Sequence, residues 1–184
     1  MLLARGASAS ATDLDGSTPL HNITGRVEDN RALQLLLDAG ADINAVRKSD
    51  GATPLLTATR KHQLINLTFF RDANADFDRQ DLEGKTALHY ACGSQFMEGE
   101  HADIWLSLAN PTIRDYAGRT AASYLAGGPY VGQGRADVIP KIVKLGLSLE
   151  SQDCLGRTLL LQFLARDYLN GCELFVKNAA EPWC

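Results

Sequence analysis

The sequence predicts an all-α solenoid of stacked helix-turn-helix units carrying short β-hairpin-like fingers, and three observations lead there. A nine-residue phrase recurs: DLDGSTPLH from 13, KSDGATPLL from 48, DLEGKTALH from 81, DYAGRTAAS from 115 and DCLGRTLLL from 153. Its threonines (Thr18, Thr53, Thr86, Thr120, Thr158) stand 33 to 38 residues apart. A second phrase trails each copy: LLLDAGADINA from 35, FFRDANADFD from 69, LSLANPTIRD from 106, IVKLGLSLES from 142 and FVKNAAEPWC from 175. Finally, the apolar residues of one unit are too few to make a core alone. Stacked neighbours must supply it, so stability is roughly a sum over adjacent units.

The elements follow in chain order. Asp15 and Gly16 suit a tight turn, Thr18 can cap exposed helical N–H groups, and Pro19 sits where a missing donor costs nothing. A short first helix follows. Leu33, Leu36 and Leu37 recur at helical spacing in a second helix, and Gly40 can take the left-handed conformation that ends it. Ala41 to Ala45 then returns as an extended segment. The chain divides into a partial unit (1–12) and units at about 13–47, 48–80, 81–114, 115–152 and 153–184, all within a single domain, 1–184. Because it begins and ends inside a unit, a piece of a longer array is expected.

The period, the GxTPLH phrase and the LLLxxGADxN phrase together resemble the ankyrin repeat over essentially the whole chain. The units at 13 and 48 are closest to that pattern, those at 115 and 153 more degenerate. Ile23 replaces a small packing residue, Leu56 replaces the histidine that the resemblance assigns to bracing adjacent units, and the unit at 120 lacks Pro-Leu-His. Stacking is expected to be least regular towards the C-terminus.

Composition narrows the function. The 184 residues are 45% hydrophobic and 22% charged, with a net charge of −4, which gives no general attraction to nucleic acid or membranes. The four cysteines (Cys92, Cys154, Cys172, Cys184) form no CxxC pair and are expected as reduced thiols, in a cytoplasmic or nuclear protein. No apolar run reaches the roughly 18 residues of a spanning helix.

The sites that suggest chemistry each fail on residues or context. The glycine stretch GGPYVGQGR (127–135) lacks the lysine and hydroxyl of a phosphate loop, and a helix-like segment rather than a strand precedes it. Register makes it a connection: Asn74 lies 21 residues after Thr53 and Ala179 21 after Thr158, but Gly146 lies 26 after Thr120. The five extra residues fall in this loop, leaving Tyr130 at its crest and Pro140 in the first turn of the next helix. His89 and Cys92 share a helix near Glu98, Glu100 and His101, but no second Cys/His pair completes a zinc site. His62 and His101 read as surface residues; Phe69, Phe70 and Trp105 read as core. No catalytic, cofactor-binding or metal-binding residue is expected.

The resemblance implies a protein-interaction module whose finger tips and first helices touch the partner. Carried over by position, the fingers contribute Leu14, Asp15 and Ser17; Ser49, Asp50 and Ala52; Leu82, Glu83 and Lys85; Tyr116, Ala117 and Arg119; and Cys154, Leu155 and Arg157. The first-helix ends contribute Arg26, Lys61, Ser94, Gly128 and Arg166. Lys85, Arg119 and Arg157 beside Tyr116 and Leu155 suggest a protein or peptide partner that is acidic or phosphorylated with an apolar anchor, bound by a monomer. Leu36, Asp42, Ile43 and Asn44 also match the spacing of the asparagine-hydroxylation motif of some such repeats, with Asn44 as acceptor. Two other readings stay open: the recognition arm of a larger enzyme, and a structural spacer.

Overall fold

A computed structural model describes residues 6–23, 30–61, 67–94, 99–125, 138–145, 148, 150 and 152–165. The first helices of the units are α1 (Pro19–Ile23), α3 (Pro54–Arg60), α5 (Ala87–Cys92), a 3-10 turn (Ala121–Tyr124) and α8 (Leu159–Leu164). The second helices are α2 (Arg31–Asp38), α4 (Leu67–Asp72), α6 (Gly99–Leu108) and α7 (Val138–Lys144). The first helices stack in sequence, α1 on α3, α3 on α5, α5 on the 3-10 turn and the turn on α8, while α4 packs on α6 and α6 on α7. The described chain is therefore a layer of first helices beside a layer of second helices, with the fingers along one edge. No strand forms among the described residues; the fingers carry only the isolated bridges Arg114–Thr120 and Gln152–Thr158.

Each finger closes around a carboxylate. In the first, the Asp13 N–H donates to the Ser17 carbonyl and the Gly16 N–H to the Asp13 carbonyl, at 3.1 and 3.0 Å. The Asp13 carboxylate accepts the Asp15 and Ser17 amides at 3.0 and 2.8 Å. Asp81, Asp115 and Asp153 repeat the arrangement. The second finger departs from it, because its closing bond runs from the Arg47 N–H to the Ala52 carbonyl and so spans one residue more. Asp50 supplies its carboxylate, accepting the Ala52 amide at 3.1 Å and the Arg47 guanidinium at 2.6 and 2.9 Å.

The fingers are stitched to one another through backbone. The N–H groups of Lys48, Leu82, Tyr116 and Cys154 donate to the carbonyls of Asp15, Asp50, Glu83 and Ala117 in the preceding finger, at 2.9 to 3.1 Å. This proximity explains the repeated glycine. Gly84 has φ +76°, and a Cβ there would lie 2.7 Å from the Tyr116 nitrogen and 2.6 Å from its ring.

Behind the fingers the threonine cap forms as expected in two units, where the Thr53 and Thr158 hydroxyls accept the Leu56 and Leu161 amides at 3.2 and 3.5 Å. In the first and third units the threonine hydroxyl also meets a histidine ring nitrogen at 2.9 Å, Thr86 and His89 together forming a capping box. The second helices end in a left-handed residue, Gly40 at φ +84° and Asn74 at +55°. Each is followed by a bond from Ala41 to Leu36 or from Ala75 to Phe70 that closes the last turn. Beyond it the chain does not extend from Ala41 to Ala45 as the sequence suggested. It turns at Ile43 and Asn44, because Asp42 accepts the Asn44 amide on its carboxylate and the Ala45 amide on its carbonyl.

The core runs between the layers. Leu20, Leu55 and Leu88 occupy the same position of successive units and are at most 1% exposed. Phe70 and Trp105 fill the second-helix side, Trp105 meeting Phe77 edge-on at 5.8 Å, and Phe69 is half-buried. Pro140 is the third residue of α7, where its missing N–H costs no internal bond.

Candidate functional site

The face that side chains are free to specialise lies along the fingers and first helices, and the residues that set its geometry are histidines. His21 and His89 are each 1% exposed. The Nδ1 of each accepts the backbone N–H of its threonine, Thr18 or Thr86, at 3.1 Å. The proton therefore sits on Nε2, which donates to a carbonyl of the next unit, Ala52 at 3.0 Å or Arg119 at 3.3 Å. Burial, the dominant influence, lowers both histidine pKa values and keeps the rings neutral.

Where histidine is missing, the contact changes. Leu56 is simply buried at the same position of the second unit. In the fourth unit Ser123 stands at that position, and the Arg157 carbonyl accepts from Gln162 Nε2 at 3.1 Å. A cavity of about 10 Å³ lined by Thr120, Ser123 and Gln162 remains there, room for one water against the buried Gln162 Oε1. The expected irregularity thus appears as a 3-10 turn in place of an α-helix.

In front of the histidines runs a ladder of cations and rings. Tyr90 and Tyr124 follow the bracing position in the third and fourth units. Lys85 Nζ lies 5.4 Å from both ring centroids, Arg60 lies 5.5 Å from Tyr90 and Arg119 4.9 Å from Tyr124. Each tyrosine donates its hydroxyl at 2.6 Å to the carboxylate that closes its own finger, Asp81 or Asp115. Burial first, and those carboxylates second, push both phenol pKa values up, so the hydroxyls remain donors.

Five cations of this face are already paired. Lys85 meets Glu83 at 2.6 Å, Arg119 meets Asp115 at 2.9 Å, Arg157 meets Asp153 at 2.8 Å, and Arg60 and Arg47 converge on Asp50 at 2.5 and 2.6 Å. The Arg47 hydrogen bonds hold the Asp50 carboxyl well below its ordinary pKa, and Lys85 does the same more mildly for Glu83. For Asp115 and Asp153, burial alone would raise the pKa, but bonds from Tyr124 and Arg119, and from Arg157, overcome it.

The positions expected to meet a partner fall into distinct settings. Leu14, Asp15, Leu82, Glu83, Tyr116 and Leu155 are exposed along the finger edge, and Lys61 is exposed at the end of α3. Asp50, Lys85, Arg119 and Arg157 are half-buried in their ion pairs. Ser17 corrects the expectation: it is 7% exposed, drawn inward by the Asp13 carboxylate that binds its amide. Ala52 and Ser94 are likewise buried. Arg26, Arg166, Gly128 and the whole 127–135 stretch with Tyr130 lie outside the described residues, as does His62. Asn44 links the outer turns, its Oδ1 accepting the Asp76 amide at 2.8 Å and its Nδ2 donating to the Asn74 carbonyl at 3.3 Å.

Sequence reasoning missed Arg47, Arg60, Tyr90 and Tyr124. A signal existed for the tyrosines, since both stand four residues after the repeat threonine. Among the described residues no cluster of three or more His, Cys, Asp or Glu could hold a metal ion, and no helix is long and apolar enough to cross a membrane.

Comparison with known proteins gives this arrangement a context. A family model described as ankyrin repeats, in three copies, matches residues 23–115. Protein PhlB of Serratia liquefaciens is 38% identical over 90 residues, which cover 49% of this chain and 39% of PhlB. The E3 ubiquitin-protein ligase KEG of Arabidopsis thaliana is 30% identical over 159 residues, covering 81% of this chain but 9% of the ligase. Human ankyrin repeat and SOCS box protein 16 is 34% identical over 92 residues, half of this chain and 20% of that protein. The chain therefore matches well under half the length of each of these relatives.

Proposed function

Because the chain belongs to the ankyrin-repeat family, we propose that it is a non-catalytic protein-interaction module that binds a partner protein or peptide through its fingers and first helices. One observation carries the reading. The backbone ladder and the histidine braces hold the array together from within, which leaves the finger-tip side chains of Leu14, Leu82, Tyr116 and Leu155 exposed without a stacking role for most of their surface. Large apolar side chains on rigid tips have no folding reason to face water.

The expected acidic partner finds less support than its apolar anchor. An acidic or phosphorylated segment would compete with Glu83, Asp115 and Asp153 for cations already engaged at 2.6 to 2.9 Å. The pairing also changes how the face should be tested. Arg119 and Arg157 neutralise carboxylates that close their fingers, so reversing their charge would disturb folding along with binding.

Affinity capture from extract with the intact chain, compared with a Leu82→Ser, Tyr116→Ser double variant, is the test. Partners lost with the variant support the reading; a variant that retains every partner overturns the finger edge as the contact surface. A second reading, the recognition arm of a larger enzyme, is favoured by the small share of KEG that the chain matches. It uses the same face and differs only in what the partner becomes afterwards. A monomeric state and a cytoplasmic or nuclear location complete the proposal, the first checked by sedimentation of the purified chain.

A further inference from the structure

We infer that the finger edge recognises an uncharged segment of a partner protein whose apolar side chains repeat along it, rather than an acidic one. The inference rests on the interaction reading above and adds the chemistry of the partner. Leu14, Leu82, Tyr116 and Leu155 are exposed by 104, 62, 75 and 70%, the four most exposed large apolar side chains among the described residues. Leu14, Leu82 and Tyr116 share one position, directly after the carboxylate that closes the finger; Leu155 stands one residue later in the fifth finger.

Two of these side chains, Leu82 and Tyr116, are held in place. Leu82 lies over Gly51, with its Cγ 3.2 Å from where a Cβ would stand, and the Tyr116 ring lies over Gly84. Their amides are bonded to the preceding finger. A fixed apolar pair loses little conformational freedom when a partner covers it, which favours binding by side-chain burial.

The charges beside the row match a neutral occupant. Lys85 with Glu83, Arg119 with Asp115 and Arg157 with Asp153 each cancel locally, and Arg47 and Arg60 face Asp50. In the second finger the corresponding ladder position is Lys48, exposed beside the exposed Asp15 of the first finger, so an anionic segment would gain little net attraction there and would meet the exposed carboxylate of Glu83. An uncharged segment with apolar anchors meets neither obstacle.

The experiment selects peptides from a phage-displayed random library on the full chain, then measures a synthetic consensus peptide by fluorescence polarisation. The expected result is an apolar consensus without net charge. Its affinity should change less than about twofold between about 0.05 and 0.5 M NaCl and fall about tenfold or more with Leu82→Ser or Tyr116→Ser. Unchanged circular dichroism establishes that the variants fold; Lys144→Ser, exposed on a second helix away from the finger edge, should bind as the parent does. An acidic consensus weakened steeply by salt overturns the inference and leaves the interaction reading standing. An apolar consensus that ignores both finger variants overturns the assigned surface. Selection of no peptide sinks the inference, and the interaction reading falls with it if extract capture also returns no partner.

Discussion

Mild acid should loosen this array through its two bracing histidines well before the down-shifted carboxylates of Asp50, Glu83, Asp115 and Asp153 titrate. His21 and His89 are neutral because Nδ1 accepts an amide and Nε2 donates to the next unit, so neither nitrogen is placed to carry a second proton without losing a bond. Burial lowers both pKa values most, assisted by Arg47 at His21 and Lys85 at His89; the carbonyl bonds and Asp13, Asp50, Asp81 and Asp115 oppose it without reversing it. In the unfolded chain each histidine titrates near about 6.5. Below that pH the unfolded state binds protons that the folded state refuses, so the stabilisation is whole above about 6.5 and is lost as pH falls towards the folded values. One proton is worth about 1.4 kcal/mol per pH unit, so the pair can cost at most about 3 kcal/mol at pH 5.5. Asp50, Glu83, Asp115 and Asp153, all shifted downward, lose their contribution only below about pH 4 and do not contaminate this window. Urea denaturation at about pH 7.5 and 5.5 measures the loss. His89→Leu should roughly halve it, because Leu56 already fills the equivalent position of the second unit. Equal stability of the parent at the two pH values, or an unchanged pH slope in His89→Leu, would refute the reasoning.

Two further predictions concern the fingers. Gly84→Ala should cost about 2–3 kcal/mol, since a left-handed residue gains a Cβ that meets the Tyr116 backbone at 2.7 Å; Gly156→Ala, left-handed but facing open space, should cost only about 1 kcal/mol, and equal losses on chemical denaturation would show that finger stacking is not the cause. Asp115→Ala should cost about 3–5 kcal/mol because its carboxylate receives the Ala117 and Arg119 amides, the Arg119 guanidinium and the Tyr124 hydroxyl; Asp15→Ala, exposed on the first tip, should stay within about 0.5 kcal/mol by the same assay.

The repeat made much of this fold legible. Once Thr18, Thr53, Thr86, Thr120 and Thr158 are aligned, the positions of the turns, the helix starts and the left-handed glycine at 40 follow from local chemistry that each unit repeats. What escaped was the pairing between side chains across units. Arg119 and Arg157 looked like free basic groups on the tips, although Asp-x-x-x-Arg in both fingers was a readable hint that each cation folds back on its own carboxylate. The ladder through Tyr90 and Tyr124 depends on Lys85 lying between rings from two units, a placement that only the stacking distance decides. Ser17 was misjudged for a related reason: the position carried over from the resemblance implied an outward residue, but the amide bond to Asp13 turns it in. The extended return at Ala41 failed because Asp42 offered both of its acceptors to the next three residues.

The longer second finger bears on how such arrays vary. It spans from Arg47 to Ala52 and yet stays in step on both sides, Lys48 reaching back to Asp15 and Leu82 reaching back to Asp50. The additional residue is absorbed at the tip, where Asp50, in the place of Asp15 and two residues beyond that of Asp13, supplies the closing carboxylate. Tip length and stacking pitch are therefore separable quantities. A lineage, or an engineer, can lengthen one finger to reshape what it presents to a partner without putting the units beyond it out of phase.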